Sequence, residues 1–272
     1  MLKIIGIILV TISFSNSQTW QWSQRVHPEL DWYTIETENF NVHYHQGIKE
    51  IAEQGASIAE QVYPILMLQM ELEEIPIIDI IFTTEDEIMN GFAMWTNQTF
   101  IWVDQNDAAI WLEDEKWLYQ VVAHELQHIM LFNAIKTWMP QPFGYLFSGT
   151  PGWFVEGLAE YLTERWRPYR ADISHKYHVF ENKMSRMDPH NDGYSKLLLM
   201  ADKFSDSTIV NIIQHRNNFK LFNFKKAFKE HTKMSVSQFE EEWRRTMNTY
   251  YYSYKSQKES IDEIGETLTL PI

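Results

Sequence analysis

Apolar residues recur at helical spacing across residues 48–70, where Ile51, Ile58, Val62, Ile65 and Leu66 form one face of a predicted amphipathic helix. Shorter runs before and after it read as strands: residues 33–35, 40–45 and 76–82, the last a nearly continuous apolar run of a buried strand. Residues 91–103 predict a hairpin that turns near Thr96, Asn97 and Gln98. From there on the pattern is helical. A long, largely apolar helix surrounds residues 121–130. A second begins near Thr150 (N-cap) and Pro151 (first helical position), with Phe154, Val155, Leu158, Ala159 and Leu162 on its apolar face. Further helical spacing marks residues 174–187, the stretch from Asn191 to Met200, and residues 209–215, 222–228 and 235–250. Ser235 and Gln238 make a capping box there, and Phe239, Trp243 and Met247 share a core-facing stripe. Neither an internal repeat nor a low-complexity tract is present.

Two of these helices carry polar residues where the pattern calls for apolar ones. His124-Glu125-Leu126-Gln127-His128 lies inside the first. At 100° per residue His124 and His128 sit one turn apart, in the stripe of Trp117, Val121, Leu131 and Ile135, so two imidazoles can reach one metal ion. Glu125, flanked by Leu118, Val122 and Ile129, can face a water on that metal. Imidazoles and a carboxylate on apolar faces are costly without partners, which a metal or buried hydrogen bonds would supply. A metzincin requires Gly and His where this chain has Leu131 and Ala134, so that class is excluded. In the second helix Glu156 and Glu160 lie one turn apart, opposite the apolar face. By themselves they read as a solvated acidic face, but beside the first helix they read as a source of a carboxylate ligand.

The run Trp153-Phe154-Val155-Glu156-Gly157-Leu158-Ala159-Glu160-Tyr161, together with the His-Glu-x-x-His helix, resembles the motif pair of gluzincin zinc metallopeptidases. Within that clan it is most similar to the peptidase MA-like domain of secreted bacterial proteins, over about residues 31–250. The resemblance implies an α+β, zincin-like fold, with a small mixed N-terminal sheet and its helices facing a helical C-terminal subdomain across an active-site cleft. It implies zinc on His124, His128 and Glu156, Glu125 as general base, and Glu160 as a carboxylate orienting a ligand histidine. A sheet edge formed by Gly91, Phe92, Ala93 and Met94 would pair with an extended peptide, although a purely structural strand fits those residues equally well. Tyr194 takes the place of the oxyanion-stabilising tyrosine, a packed tyrosine at a helix start being the alternative, with His190 and His215 as secondary candidates. The gap between His128 and Glu156 is longer than in the aminopeptidase branch, which makes residues 138–144 an inserted loop near the cleft. Trp138, Phe143, Tyr145, Phe147 and Trp153 would then line an apolar cleft or simply pack in the core. Two other pairs, His43 with His45 and His175 with His178, have ligand spacing, but a partly exposed strand face for the first and a solvated face for the second are the plainer expectations.

Composition narrows the setting. Lys3 followed by an apolar run over residues 4–14 and Ser15-Asn16-Ser17 reads as a signal peptide (residues 1–17), too short an apolar run for a spanning helix. Residues 18–253 would then be the catalytic domain, and residues 254–272 a linker or tail, in similar proteins leading to a Tol-type β-propeller that this chain does not contain. A formal charge of −14 argues against a nucleic-acid partner, and the lack of cysteine excludes disulfides, cysteine–zinc sites and cysteine-linked lipids. The expectation is an exported, periplasmic or extracellular bacterial zinc peptidase acting on a peptide or protein substrate. Its rivals are a catalytically silent, metal-braced interaction module and a zinc hydrolase acting on something other than peptides. The sequon Asn97-Gln98-Thr99 carries little weight in a bacterial protein.

Overall fold

The computed structural model describes residues 29–84, 90–103, 117–163 and 172–258. The expected signal peptide and the tail from residue 259 lie outside the described residues, as do residues 18–28 and 164–171.

Five strands form one mixed sheet: β1 (Trp32–Glu36), β2 (Phe40–His45), β3 (Ile78–Thr83), β4 (Asn90–Met94) and β5 (Gln98–Trp102), in the order β1-β2-β3-β5-β4. The central pairs β2–β3 and β3–β5 are parallel, and the outer pairs β1–β2 and β5–β4 antiparallel. Period-two alternation puts Phe40, Val42 and Tyr44 of β2 and Ile78, Ile80 and Phe82 of β3 on the buried face. Each of these side chains contributes about 1.5–3 kcal/mol by leaving water. Helix α1 (Lys49–Gln69) connects the parallel strands β2 and β3 and lays a small-residue face of Ala52, Gly55, Ala56 and Ala59 into the core. Ile65, expected on that face, is exposed instead. The hairpin turns at Asn97, whose φ of 60° is a left-handed conformation that Asn tolerates.

The next two helices are α2 (Trp117–Ala134), packed against α1 and β4, and the short α3 (Phe143–Ser148), which occupies part of the expected inserted loop. Helix α4 (Gly152–Thr163) begins where the Pro151 carbonyl accepts from the Phe154 and Val155 amides. The helical remainder comprises α5 (Asp172–Phe180), a 3-10 turn at Met184–Arg186, α6 (Pro189–Phe204), α7 (Asp206–Gln214), α8 (Phe224–Thr232) and α9 (Val236–Ser256). The helix expected over residues 174–187 is thus split, and α9 runs past Tyr254, where the polar tail was expected to begin. The Ser235–Gln238 capping box is formed in full. The architecture is α+β, with the sheet N-terminal and the helices gathered after it.

The tightest junction is between α4 and α6. A Cβ on Gly157 would overlap the backbone of Gly193, and one on Gly193 would overlap the Trp153 carbonyl and Gly157. Two glycines face to face therefore let the helix backbones touch, bringing the first turn of α6 beside the middle of α4. Behind the junction, buried Lys196 pairs with Asp192 at 2.8 Å and lies over the rings of Trp153 and Trp243. No helix among the described residues is long and apolar enough to cross a membrane.

One histidine of each additional pair departs from its expected face: His45 and His175 are buried, while His43 and His178 are partly exposed. His45 is buried, with Nδ1 2.8 Å from the Gln46 carbonyl, while His43 contacts Thr34 Oγ1 and Asp79 Oδ1. His175 is buried with Nε2 2.8 Å from Ser195 Oγ, which also accepts from Trp243 Nε1 at 2.9 Å. His178 bonds back within its own helix. Each of these rings has a local partner, which is how a core accommodates a polar ring.

Candidate metal centre

Buried on nearly every side, α2 carries His124, Glu125, Gln127 and His128 as consecutive or near-consecutive polar residues in the interior. Leaving such groups without partners costs about 1–3 kcal/mol each. Partners for His124, Glu125 and His128 come from three other elements, whereas Gln127 Oε1 and Nε2 meet none among the described residues. From α4, Glu156 Oε2 lies 3.4 Å from His124 Nε2 and 3.3 Å from His128 Nε2, and the two Nε2 atoms are 3.1 Å apart. From α6, His190 Nε2 lies 3.1 Å from the same Glu156 oxygen. From β4, the Ala93 amide donates to the Glu125 carboxylate, and Gly91 presses its Cα against that carboxylate so closely that a Cβ would collide with it.

These distances bear on a metal. Donor atoms about 2.0–2.1 Å from a tetrahedral zinc lie about 3.3–3.4 Å from one another. The His124, His128 and Glu156 atoms match that triangle to within a few tenths of an ångström. His124, Glu156 and His190 also bring three potential ligand atoms together, with His190 outermost and nearly half exposed. Two imidazoles and a carboxylate are a zinc donor set. Behind it, Glu160 Oε1 stands 4.0 Å from His124 Nδ1, on the side expected for a carboxylate that orients that ring. His128 Nδ1 is buried and meets no acceptor among the described residues.

The electrostatics of these side chains follow from burial and from the shared carboxylate. Burial lowers His124 to about 4, keeping its imidazole neutral, and it raises the Glu125 carboxyl to about 7. At His128 burial acts to lower the pKa, but the bond to Glu156 and the charges of Glu125 and Glu156 win and the net direction is up. Glu156 is pulled far below the ordinary carboxylate range: burial opposes this, and hydrogen bonds from three histidines overcome it. The bond to Glu156 raises His190 to about 9, against burial and with help from Asp188, whose Oδ1 is 2.8 Å from His190 Nδ1.

Of the residues singled out in the sequence, His124, Glu125, His128, Glu156 and Glu160 gather in one place, with Gly91 and Ala93 against Glu125. β4 is an edge strand among the described residues: β5 is its one neighbour, Phe92 is exposed and Ala93 is buried. Tyr194 lies one turn beyond His190 on α6 and is buried. His190 is an α6 residue within hydrogen-bond distance of Glu156. His215 packs against His231 at 5.3 Å, in a different setting. Asp188 was not read from the sequence, although its signal was there. Asp188-Pro189 is an N-cap followed by proline at the first helical position, and the Asp188 side chain accepts from the His190 amide, so α6 starts earlier than Asn191. Tyr145 is a further neighbour: its hydroxyl is raised by burial and by the charge of Glu156, and its ring meets Phe132 at 5.1 Å.

No protein-family model and no curated protein sequence matches the chain. Solved structures give distant similarities. Leukotriene A4 hydrolase of Saccharomyces cerevisiae in complex with bestatin aligns at 16% identity with a TM-score of 0.43, over 89% of this chain and 40% of that one. The native form of that yeast enzyme aligns at the same identity and score, over 85% and 37%. An aminopeptidase N family protein from Idiomarina loihiensis aligns at 12% identity with a TM-score of 0.30, over 87% and 43%. The chain therefore spans about two fifths of the length of each.

Proposed function

We propose that this chain is a zinc-dependent metallopeptidase of gluzincin type, of the peptidase MA-like kind, acting on peptides outside the cytoplasm of a bacterium. The observation that carries the reading is the convergence of His124, His128 and Glu156 at 3.1–3.4 Å with Glu125 alongside. His124 and His128 would hold zinc through Nε2 and Glu156 through Oε2. Bound there, zinc supplies the Lewis acidity that activates water and polarises a peptide carbonyl. Glu125 takes the proton of the attacking water on its carboxylate and delivers it to the leaving amine nitrogen. His190, held by Asp188 through Nδ1, would turn its Nε2–H from Glu156 Oε2 to the developing oxyanion when that oxygen serves as a metal ligand, with Tyr194 and Tyr145 as further hydroxyls in the neighbourhood. The Ala93 amide donates to Glu125 and so points away from β5. By the alternation of an antiparallel pair, Gly91 also faces outward, where its amide donates to Asn90 Oδ1 at 2.9 Å, so the carbonyls are what this edge offers a peptide. That edge supports main-chain pairing with an extended peptide. Glu125 speaks for the enzyme over the silent interaction module, since a purely structural zinc site needs no carboxylate beside its ligands.

Zinc content and chelation test the reading. Near-stoichiometric zinc is expected in the purified protein. Its removal should abolish peptidase activity and lower the melting temperature, because a ligand at 100 times its Kd adds about 2.7 kcal/mol to folding stability. His124→Ala should lose the metal while His190→Ala retains it. A folded protein that takes up no zinc, or one that cleaves equally well without it, refutes the proposal.

Gly91→Ala tests the fit of the edge strand. Its methyl group would push the Glu125 carboxylate aside, so activity should fall about 10²-fold, the scale of a 1 Å misplacement, while zinc content stays at the wild-type level. Unchanged activity would show that Glu125 is free to relocate.

A further inference from the structure

Acidic residues outnumber basic ones 37 to 23 in this chain, yet after the acid-free residues 1–28 two further long stretches contain none: no Asp or Glu occurs between Glu125 and Glu156, or between Asp206 and Glu230. The fold brings these two stretches together. Trp138 Nε1 donates to the Phe219 carbonyl at 3.0 Å, and the Arg216 guanidinium binds the Ala134 carbonyl at the end of α2. The surface they form is aromatic and basic. Trp138 is 70% exposed, Leu146 65%, Phe147 66% and Phe219 77%, all well beyond what ordinary surface packing needs. Leu146 and Phe147 project from α3, where Phe147 stacks on Phe143 at 6.4 Å. Lys220, beside Phe219, sits at a turn with a φ of 56°, and Lys225, Lys226 and Lys229 take exposed positions on α8, where Glu230 borders Lys226 and Lys229.

We propose that this face is a docking surface for an anionic lipid bilayer, with the aromatic side chains seated at the headgroup boundary and the lysines on lipid phosphates. Charge complementarity selects this occupant. A strongly acidic protein is repelled by an anionic membrane everywhere except where its acids are absent, and here exposed Trp, Phe and Leu are combined with Lys. Helix α3 also adjoins the candidate metal centre, since Tyr145 senses the charge of Glu156 and Phe132 stacks against His128 at 6.4 Å. Docking would therefore bring that centre close to the bilayer. The inference goes beyond the peptidase reading and does not depend on it.

Vesicle flotation of the chain from Gln18 onward tests it, the apolar N-terminal stretch being omitted because its own lipid affinity would mask the face. Binding is expected to mixed phosphatidylglycerol–phosphatidylcholine vesicles, to weaken in high salt, and to be slight on phosphatidylcholine alone. The double variant Leu146→Ser/Phe147→Ser should bind roughly tenfold or more weakly, and Phe219→Ser, on the other stretch, should also weaken binding. Both change exposed side chains, so their circular dichroism and melting should match wild type, and either alone suffices if the other misfolds. Failure of the wild type to float with anionic vesicles, or undiminished binding by folded variants, overturns the proposal. So does a wild type that ignores vesicles while the double variant loses peptide cleavage, which would make the face a wall for hydrophobic substrate.

Discussion

Glu125→Gln should retain zinc at the wild-type level, melt close to the wild-type temperature and lose about 10²–10⁴-fold in peptidase activity. The substitution separates the reaction from the fold because the side chain changes by little more than one atom. The Gln amide oxygen can still accept from the Ala93 amide and occupies the same space against Gly91. A carboxyl that burial raises to about 7 is replaced by a neutral group, so burial no longer opposes a charge at this position. The three candidate ligands are untouched. What disappears is the capacity to accept a proton, and a loss of activity without loss of metal is the signature of a base. Paired zinc analysis and cleavage of an unstructured protein read both quantities at once. Equal activity in the two proteins would remove Glu125 from the mechanism. Zinc in both with activity in neither would favour the interaction module.

The second large effect is expected at the α4–α6 junction, where local propensity and tertiary packing have opposite signs. Within a helix, Gly→Ala ordinarily gains up to about 1 kcal/mol. Gly152→Ala, at the start of α4 with open space where its Cβ would stand, should be neutral or stabilising. Gly157→Ala, in the same helix, would drive a methyl group into the backbone of Gly193, which cannot yield as a side chain can. Overpacking of this kind costs about 1–3 kcal/mol or more, exceeding the propensity gain. A net loss of about 2 kcal/mol corresponds to a fall of about 4–8 °C in melting temperature for a domain of this size. The damage should reach the site as well, because moving α6 away from α4 lengthens the 3.1 Å contact between His190 and Glu156. Thermal melts of the two single variants decide the matter: a Gly157→Ala protein as stable as Gly152→Ala would mean that the helices can separate at no cost.

What the sequence determined by itself are the features that depend on near neighbours along the chain. His124 and His128 share a face because four residues make about one helical turn, and Glu156 and Glu160 share one for the same reason. Strand alternation, the hairpin turning at Asn97 and the Ser235–Gln238 cap are likewise local, and each was legible for that reason. Contacts between distant segments were not. That His190 comes up against Glu156 depends on where α6 crosses α4, and two glycines without side chains set that crossing. The burial of His45 and His175, and the outward turn of Ile65, depend on which neighbouring element covers each face, which periodicity along one helix or strand does not encode. Nor does any single segment show that two acid-free stretches meet on one surface. Spacing along the chain reaches about one turn or one pleat; beyond that range, the packing of helix against helix and strand against helix decided which side chains meet.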